Sequence, residues 1–269
     1  MNPTKGFRYA VARCFMKTIG MLSDGIRLCY KEGLTSGKMV DYIYRNDPSG
    51  KWIIGKMIDK RFLSDPGWEA VRIRRSNLEK LIVASIEALR KQAKPVSLLD
   101  IASGPGAYIL SALETAGGKD VSALCRDFES RWIDEGMREA QRRKLHNVRF
   151  EQGDAFNREE ILRIVPRPNV AVASGFYDWF NDDAKVKESM KIIYDALDHG
   201  GYFVFSNQSA HPKLEFTEQV FTDFNKNPLR MAMRPKELMC SFIQAIGFDA
   251  EETLTDQHGY YVVIKARKP

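Results

Sequence analysis

Three acids stand where strand-like segments of this chain end. "SLLDIASGPGAYI" (97–109) closes an apolar run with Asp100 and continues into a loop of small residues, Ala102, Ser103, Gly104 and Gly106. "ALCRDFES" (123–130) sets Asp127 and Phe128 after a second run, about twenty residues past the glycines. "VRFEQGDAF" (148–156) sets Gly153, Asp154, Ala155 and Phe156 after a third. Glycines without side chains let the backbone turn sharply and a ligand come close. The helix opening near Ala107 aims its free amides at that ligand. Asp100 suits a positively charged group such as an amine, reached directly or through water. Asp127 can accept hydrogen bonds from ribose hydroxyls. Asp154 can accept from an adenine amino group, the Ala155 amide can donate to a ring nitrogen, and Phe156 can cover the ring face. A cationic end, a sugar and a base together describe S-adenosylmethionine. A dinucleotide loop prefers a third Gly or Ala where this chain has Ile109, and a carboxylate at position 100 sits poorly beside a pyrophosphate.

Two further strand ends could face a second substrate. "VAVASGFYDWFNDD" (170–183) offers Ser174, Gly175 and Phe176 to the cofactor and an aromatic wall with Trp179 and Phe180. Tyr177 or Asp178 could orient or deprotonate an acceptor; equally, these aromatics could pack a following helix on the sheet. "SNQSAHPKLEF" (206–216) carries His211, the best general-base candidate among four histidines because imidazole titrates near neutrality. It also reads as a turn residue before Pro212. Catalysis of methyl transfer consists mainly of alignment, exclusion of water and, where needed, removal of a proton. One of Arg72, Arg74 and Arg75 could pair with the cofactor carboxylate, or all three could form a basic helix face. An Asn/Asp-Pro-Pro-Tyr motif is absent from this region, which argues against DNA adenine or protein glutamine as acceptor.

The elements that must hold these residues fall into two kinds. From Val96 onward, strands expected near 96–101, 121–126, 148–152, 169–174 and 201–206 alternate with helices at 107–116, 129–144, 157–164 and 183–197. Such alternation implies a doubly wound, Rossmann-like α/β sheet, mostly parallel. "FDAEETLTDQHGYYVVIKAR" (248–267) reads as two strands around a turn, so seven strands should end in an antiparallel hairpin. Before Val96 the pattern is helical: Phe7 to about Glu32 with a break near Gly20–Gly25, then Lys38–Arg45, Trp52–Phe62 and 67–92. The expected organisation is therefore an N-terminal helical cap, 1–93, on the substrate side, and a cofactor-binding domain, 94–269.

Composition narrows the function classes. Four separated cysteines show no zinc spacing, and no metal is expected. Buried thiols in a reducing cytosol fit. No apolar run is long enough to span a bilayer, and the N-terminus makes a poor secretion signal. The net charge of +6 is uneven. Residues 1–95 hold 19 Lys/Arg against 9 Asp/Glu, and the remainder holds 22 against 26. A basic front end suits an acidic partner. The first helix, with Phe7, Val11, Cys14, Phe15, Ile19 and Leu22 among Lys5, Arg8, Arg13 and Lys17, could lie on an anionic membrane surface or pack on its own domain.

With "LLDIASGPG", "CRDFE", "QGDAF" and "LDHGGYFVFSNQ" in place, the chain resembles the class I S-adenosylmethionine-dependent methyltransferases over about residues 96–207. "DYIYRNDPSGKWIIGKMIDKRFLSDPGWEAVRIRR", "VASGFYDWFNDD" and "NQSAHPKLEF" further resemble a bacterial methyltransferase family, often fused behind an α/β-hydrolase domain, over nearly the whole chain. No Gly-x-Ser-x-Gly elbow of such a hydrolase occurs here. Ser103 and Pro105 depart from the common glycine loop. The resemblance implies methyl transfer from S-adenosylmethionine, and the expected acceptor is a small molecule or a lipid-like one. A nucleic-acid methyltransferase using the basic front end, a non-catalytic cofactor-binding module and a dinucleotide-dependent oxidoreductase are the competing readings.

Overall fold

The helices at the start of the chain are set by their caps and breaks. A computed structural model describes residues 3–223 and 225–269. It opens with α1 (Pro3–Lys17), a 3-10 turn (Ile19–Leu22), α2 (Asp24–Glu32), α3 (Gly37–Arg45), α4 (Trp52–Leu63) and α5 (Pro66–Lys91). The Ser23 side chain accepts the Ile26 N–H and starts α2; Ser36 does the same for Met39 and α3. The expected break in the first long helix is the stretch Thr18–Ser23. Strands and helices then alternate as β1 (Val96–Asp100), α6 (Ala107–Thr115), β2 (Val121–Asp127), α7 (Ser130–Arg142), β3 (Val148–Gln152), α8 (Arg158–Leu162), β4 (Val170–Ala173), α9 (Asp183–Ala196) and β5 (Tyr202–Gln208). The chain continues with α10 (Leu214–Val220), α11 (Lys236–Ile246), β6 (Asp249–Thr255) and β7 (Tyr261–Arg267).

The chain divides into two compact units, and not at the expected 93/94 boundary. One comprises Met1–Arg72 with His211–Met231; the other comprises Ile73–Ala210 with Ala232–Pro269. The difference has a packing cause. Leu78, Ile82, Ile86 and Leu89 of α5 are fully buried in the core of the sheet, so most of this helix belongs with the strands. The stretch after β5 returns to the helices: Leu34 N–H donates to the Thr222 carbonyl at 2.9 Å, and the Tyr30 and Phe221 rings lie 5.8 Å apart.

Within the helical unit the pin is Asp59 of α4, fully buried. Its carboxylate accepts from Ser23 Oγ, the Gly25 N–H, Tyr42 Oη and the Ser49 N–H, tying α2, α3 and the α3–α4 loop to one side chain. Four donors satisfy a charge that would otherwise be costly to bury.

In the other unit seven strands lie in the order β3-β2-β1-β4-β5-β7-β6. The first five pair in parallel, and β7 inserts antiparallel between β5 and β6. One face of the sheet packs on α5, α6 and α7 through Ile109, Leu113 and Ile133; the other packs on α9 and α11 through Met190, Ile193, Phe242 and Ile243. β5 is buried at every residue, as a strand covered on both faces must be. The hairpin expected at 248–267 is present; α10 and α11 are additions to the sequence reading.

Candidate active site at the strand tips

The order of the strands fixes where a ligand can sit. β1 neighbours β2 on one side and β4 on the other, so the winding reverses at β1, and the carboxyl ends of these strands border a crevice. Asp100 pairs in register with Cys125, and Asp127 with Gln152. The three acids therefore emerge at one edge of the sheet, from adjacent strands.

Asp100 behaves differently from a surface carboxylate. It is fully buried, and accepts from Tyr108 Oη at 2.6 Å and from the Ala102 N–H at 3.3 Å. Burial pushes its pKa up to about 7 against the pull of those two bonds, and the nearby Asp127 charge adds to the rise. Those two bonds make Asp100 a clamp on the loop that follows it; an amine was expected there directly or through water. Ser103 extends the clamp, its N–H donating to the Arg126 carbonyl at 2.9 Å. Gly106 has φ +68°, and a Cβ there would press within 3.1 Å of the Phe150 ring, so glycine is needed for both reasons. Around Gly104 a Cβ would meet nothing within 4 Å, so the loop presents open backbone.

Asp127 ties the second tip to the first. Its Oδ2 accepts the Gly104 N–H at 2.8 Å and its Oδ1 the Glu129 N–H at 3.0 Å. Its backbone carbonyl takes the Gly153 N–H of the third tip at 3.0 Å. Each carboxylate oxygen retains acceptor capacity. Burial raises its pKa, opposed by the two amides. Phe128, next to it, is exposed.

At the third tip Asp154 is exposed and accepts the Phe156 N–H at 2.8 Å, while Ala155 is buried. Phe156 then meets the fourth tip: its ring lies 5.6 Å from Phe176 and 5.2 Å from Phe180, which are 4.9 Å apart. Ser174 and Gly175 are half-buried; the Gly175 N–H donates to Ser206 Oγ of β5 at 2.7 Å. The cofactor residues expected from the sequence thus gather on one edge, with Asp100 behind the loop.

Two of the three expected catalytic residues are turned into the core. Tyr177 is fully buried, with its hydroxyl 3.4 Å from Ser189 Oγ and its ring on Phe205. Burial drives its pKa up, away from any acid–base role. Asp178 is buried too; it accepts the Gln208 N–H at 2.8 Å and lies 3.7 Å from Arg74 Nη1. Burial raises its pKa to about 6, with Arg74 and Arg234 opposing. Both residues lie in a 3-10 turn (Tyr177–Trp179) that turns them into the core, which corrects their expected place facing an acceptor. His211 belongs to the helical unit. Its Nδ1 accepts the Lys213 N–H at 3.1 Å, and burial lowers its pKa.

Arg74, one of the three arginines flagged, holds its guanidinium over the Tyr261 ring at 4.8 Å, and a Cβ on Gly175 would fall 3.0 Å from its Nη1. Arg75 pairs with Glu79, and Arg72 donates to the Leu63 carbonyl. Two residues that shape the edge escaped the sequence reading, Tyr108 and Ser206. The signal for Ser206 was present: "SNQ" puts three polar residues at the end of an apolar strand. Among the described residues no cluster could hold a metal ion.

The helical unit has a cavity of about 1040 Å³. Phe62, Trp68, Phe216 and Phe221 line it, with Arg8, Arg61 and His211 at its polar parts. The Asp65–Lys213 ion pair, 2.6 Å, also borders it.

Comparison with known proteins agrees with this geometry. The model of a family described as "Putative methyltransferase" matches residues 1–268. The uncharacterized protein YnbC of Escherichia coli K12 is 36% identical over 261 residues, which make up 96% of this chain and 44% of YnbC. The chain thus spans less than half the length of that relative. Among solved structures, a possible exported protein of Bordetella parapertussis aligns with a TM-score of 0.69 at 18% identity, over 91% of this chain and 82% of that one. Magnesium protoporphyrin IX methyltransferase (ChlM) of Synechocystis PCC 6803, solved with bound SAH, aligns with a TM-score of 0.59 at 11% identity, over 97% of this chain and 99% of that one. At such identities these two structures speak for the fold. The length of the family match goes further: the chain belongs to this methyltransferase family, built on the class I S-adenosylmethionine-dependent fold.

Proposed function

We propose that this chain moves a methyl group from S-adenosylmethionine to a small-molecule or lipid-like acceptor. The observation that carries the reading is the linkage of three strand tips through Asp127, whose carboxylate holds the Gly104 amide and whose carbonyl holds the Gly153 amide. That arrangement fits a nucleoside. Asp127 has acceptor capacity left for ribose hydroxyls, Gly104 leaves open backbone, and Phe156 offers a ring face for a base with Asp154 beside it. Ala102, Ser103 and Gly106 keep the loop in this shape, and the Asp100 carboxyl puts an ionisable group behind it. Bound S-adenosylmethionine supplies a methyl carbon on a positively charged sulfur.

The chain's own part is alignment and dryness. Phe156, Phe176 and Phe180 make an apolar wall that excludes water and opposes no charge. Tyr177 and Asp178 are committed to buried contacts, so the reading rests on positioning and not on either as a base. A lipid-like acceptor draws support from the cavity of the helical unit. Its size is that of a site for a large organic molecule, its wall is aromatic, and Arg8 and Arg61 can receive an anionic group.

Calorimetric titration with S-adenosylhomocysteine tests the cofactor reading. Asp127→Ala should weaken binding by about 1–3 kcal/mol, roughly 5- to 150-fold, and NAD should not bind. Equal affinity in the variant would remove Asp127 from the site. Incubation with isotope-labelled methyl donor and a cell extract should then place label in the organic-soluble fraction. Label confined to nucleic acid would refute the acceptor class.

A further inference from the structure

The helical unit exposes an apolar surface that a soluble domain ordinarily covers. Among the described residues thirteen large apolar side chains are exposed, and eight of them lie on α1, the following 3-10 turn and α4. On α1, Phe7, Val11 and Phe15 recur every four residues and so form one stripe, continued by Ile19. On α4, Trp52 and Ile53 are 77% and 79% exposed, and Ile54 and Met57 follow. The two sets adjoin, since Phe15 and Met57 border the same cavity. Contiguous exposed apolar residues on this scale mark an interaction surface.

Cations predominate around them. Arg8 and Lys17 flank the stripe of α1, and Lys51, Lys56, Lys60 and Arg61 flank that of α4, all exposed. α1 and the 3-10 turn contain no acid, and the single acid of α4, Asp59, is buried under four donors. Asp24, after the 3-10 turn, pairs with Arg27, and of the two acids that border the cavity, Asp65 and Glu215, the first pairs with Lys213. Trp52 also has φ +57°, a left-handed conformation that bulky residues avoid. A fold that holds an indole outward in a disfavoured backbone region points to a use for it.

We propose that this α1–α4 face docks the protein on an anionic lipid bilayer, the apolar stripe entering the headgroup–acyl boundary while the cations meet lipid phosphates. The chemistry selects this occupant over others. A second copy would bring the same positive charge to the face, and like charges oppose such pairing. Nucleic acid would satisfy the cations but leave Ile53, Ile54 and Met57 in water. An anionic bilayer satisfies both, and Trp suits its interface. The inference rests on the helical unit alone and stands or falls independently of the methyl-transfer reading.

The test is co-sedimentation of the full chain with phosphatidylcholine vesicles, plain or containing about one third phosphatidylglycerol. Retention on the anionic vesicles and release from the plain ones is expected. Lys56→Gln with Lys60→Gln should lower partitioning about 25-fold, about fivefold per cation. Trp52→Ser with Ile53→Ser should lower it at least about tenfold, with an unchanged circular dichroism spectrum because both side chains already face water. Absence of binding to anionic vesicles, equal binding to both kinds, or full retention by either variant would overturn the proposal. So would a concentration-dependent dimer that the Trp52→Ser, Ile53→Ser variant dissolves, or release from vesicles by a short DNA duplex.

Discussion

Asp100→Asn isolates the buried carboxyl behind the glycine loop. Burial lifts Asp100 from its ordinary 3.8 to about 7, so between those values the folded protein binds a proton that the unfolded chain has released. Stability from this group is therefore greatest in acid, falls as pH rises through that window, and levels off above about pH 7. Fully ionised, the carboxyl costs the fold about 4 kcal/mol; between pH 5 and pH 8 the change is about 3 kcal/mol. Asparagine keeps the shape, and its carbonyl can still accept from Tyr108 Oη, the 2.6 Å contact of the native residue, but it does not ionise. Urea unfolding of both proteins from pH 5 to pH 8 reads the effect. Asp178, with a pKa of about 6, contributes equally to both and cancels in the difference. The native protein should lose about 3 kcal/mol relative to the variant across the range. A difference that stays flat within about 0.5 kcal/mol would mean that Asp100 titrates like an exposed acid, and the clamp described at the first strand tip would be wrong.

Two other perturbations check the packing of the sheet unit and the burial of its thiols. Gly136→Ala should cost about 1–3 kcal/mol in urea unfolding, because its Cβ would lie 2.2 Å from the Phe150 ring under the glycine loop; an unchanged midpoint would contradict that contact. A thiol reagent should label the exposed Cys14 in the native protein and leave Cys29 and Cys125 untouched, since both are buried and burial raises both thiol pKa values. Mass mapping of labelled peptides decides it, and early labelling of Cys125 would place the β2 strand nearer solvent than the structure has it.

Much of the edge could be read from residue order alone. An acid ending an apolar run marks the carboxyl end of a buried strand, and three in succession locate a crevice before any coordinate is known. The hairpin at the end was legible from alternation around a turn. What stayed hidden depends on contacts between distant segments. Asp100 looks like a ligand in sequence because Tyr108, eight residues on, reveals itself as its partner only when α6 folds back over β1. Tyr177 and Asp178 looked outward because a short 3-10 turn decides which side chains enter the core, and no periodicity announces it. His211 read as a continuation of β5, but Phe221 and Thr222 of the same stretch pair with Tyr30 and Leu34, so the segment groups with the first helices. Pairings separated by nearly two hundred residues leave no local pattern.

That last excursion bears on how the molecule comes into being. Helices made first, up to Arg72, lack the segment His211–Met231 until the whole of Ile73–Ala210 has been synthesised. The sheet waits longer still, because β7, which follows both in the chain, lies between β5 and β6. The helical unit has all its segments once Met231 is made, before the sheet has its hairpin, and a cut after the first helices yields two incomplete fragments.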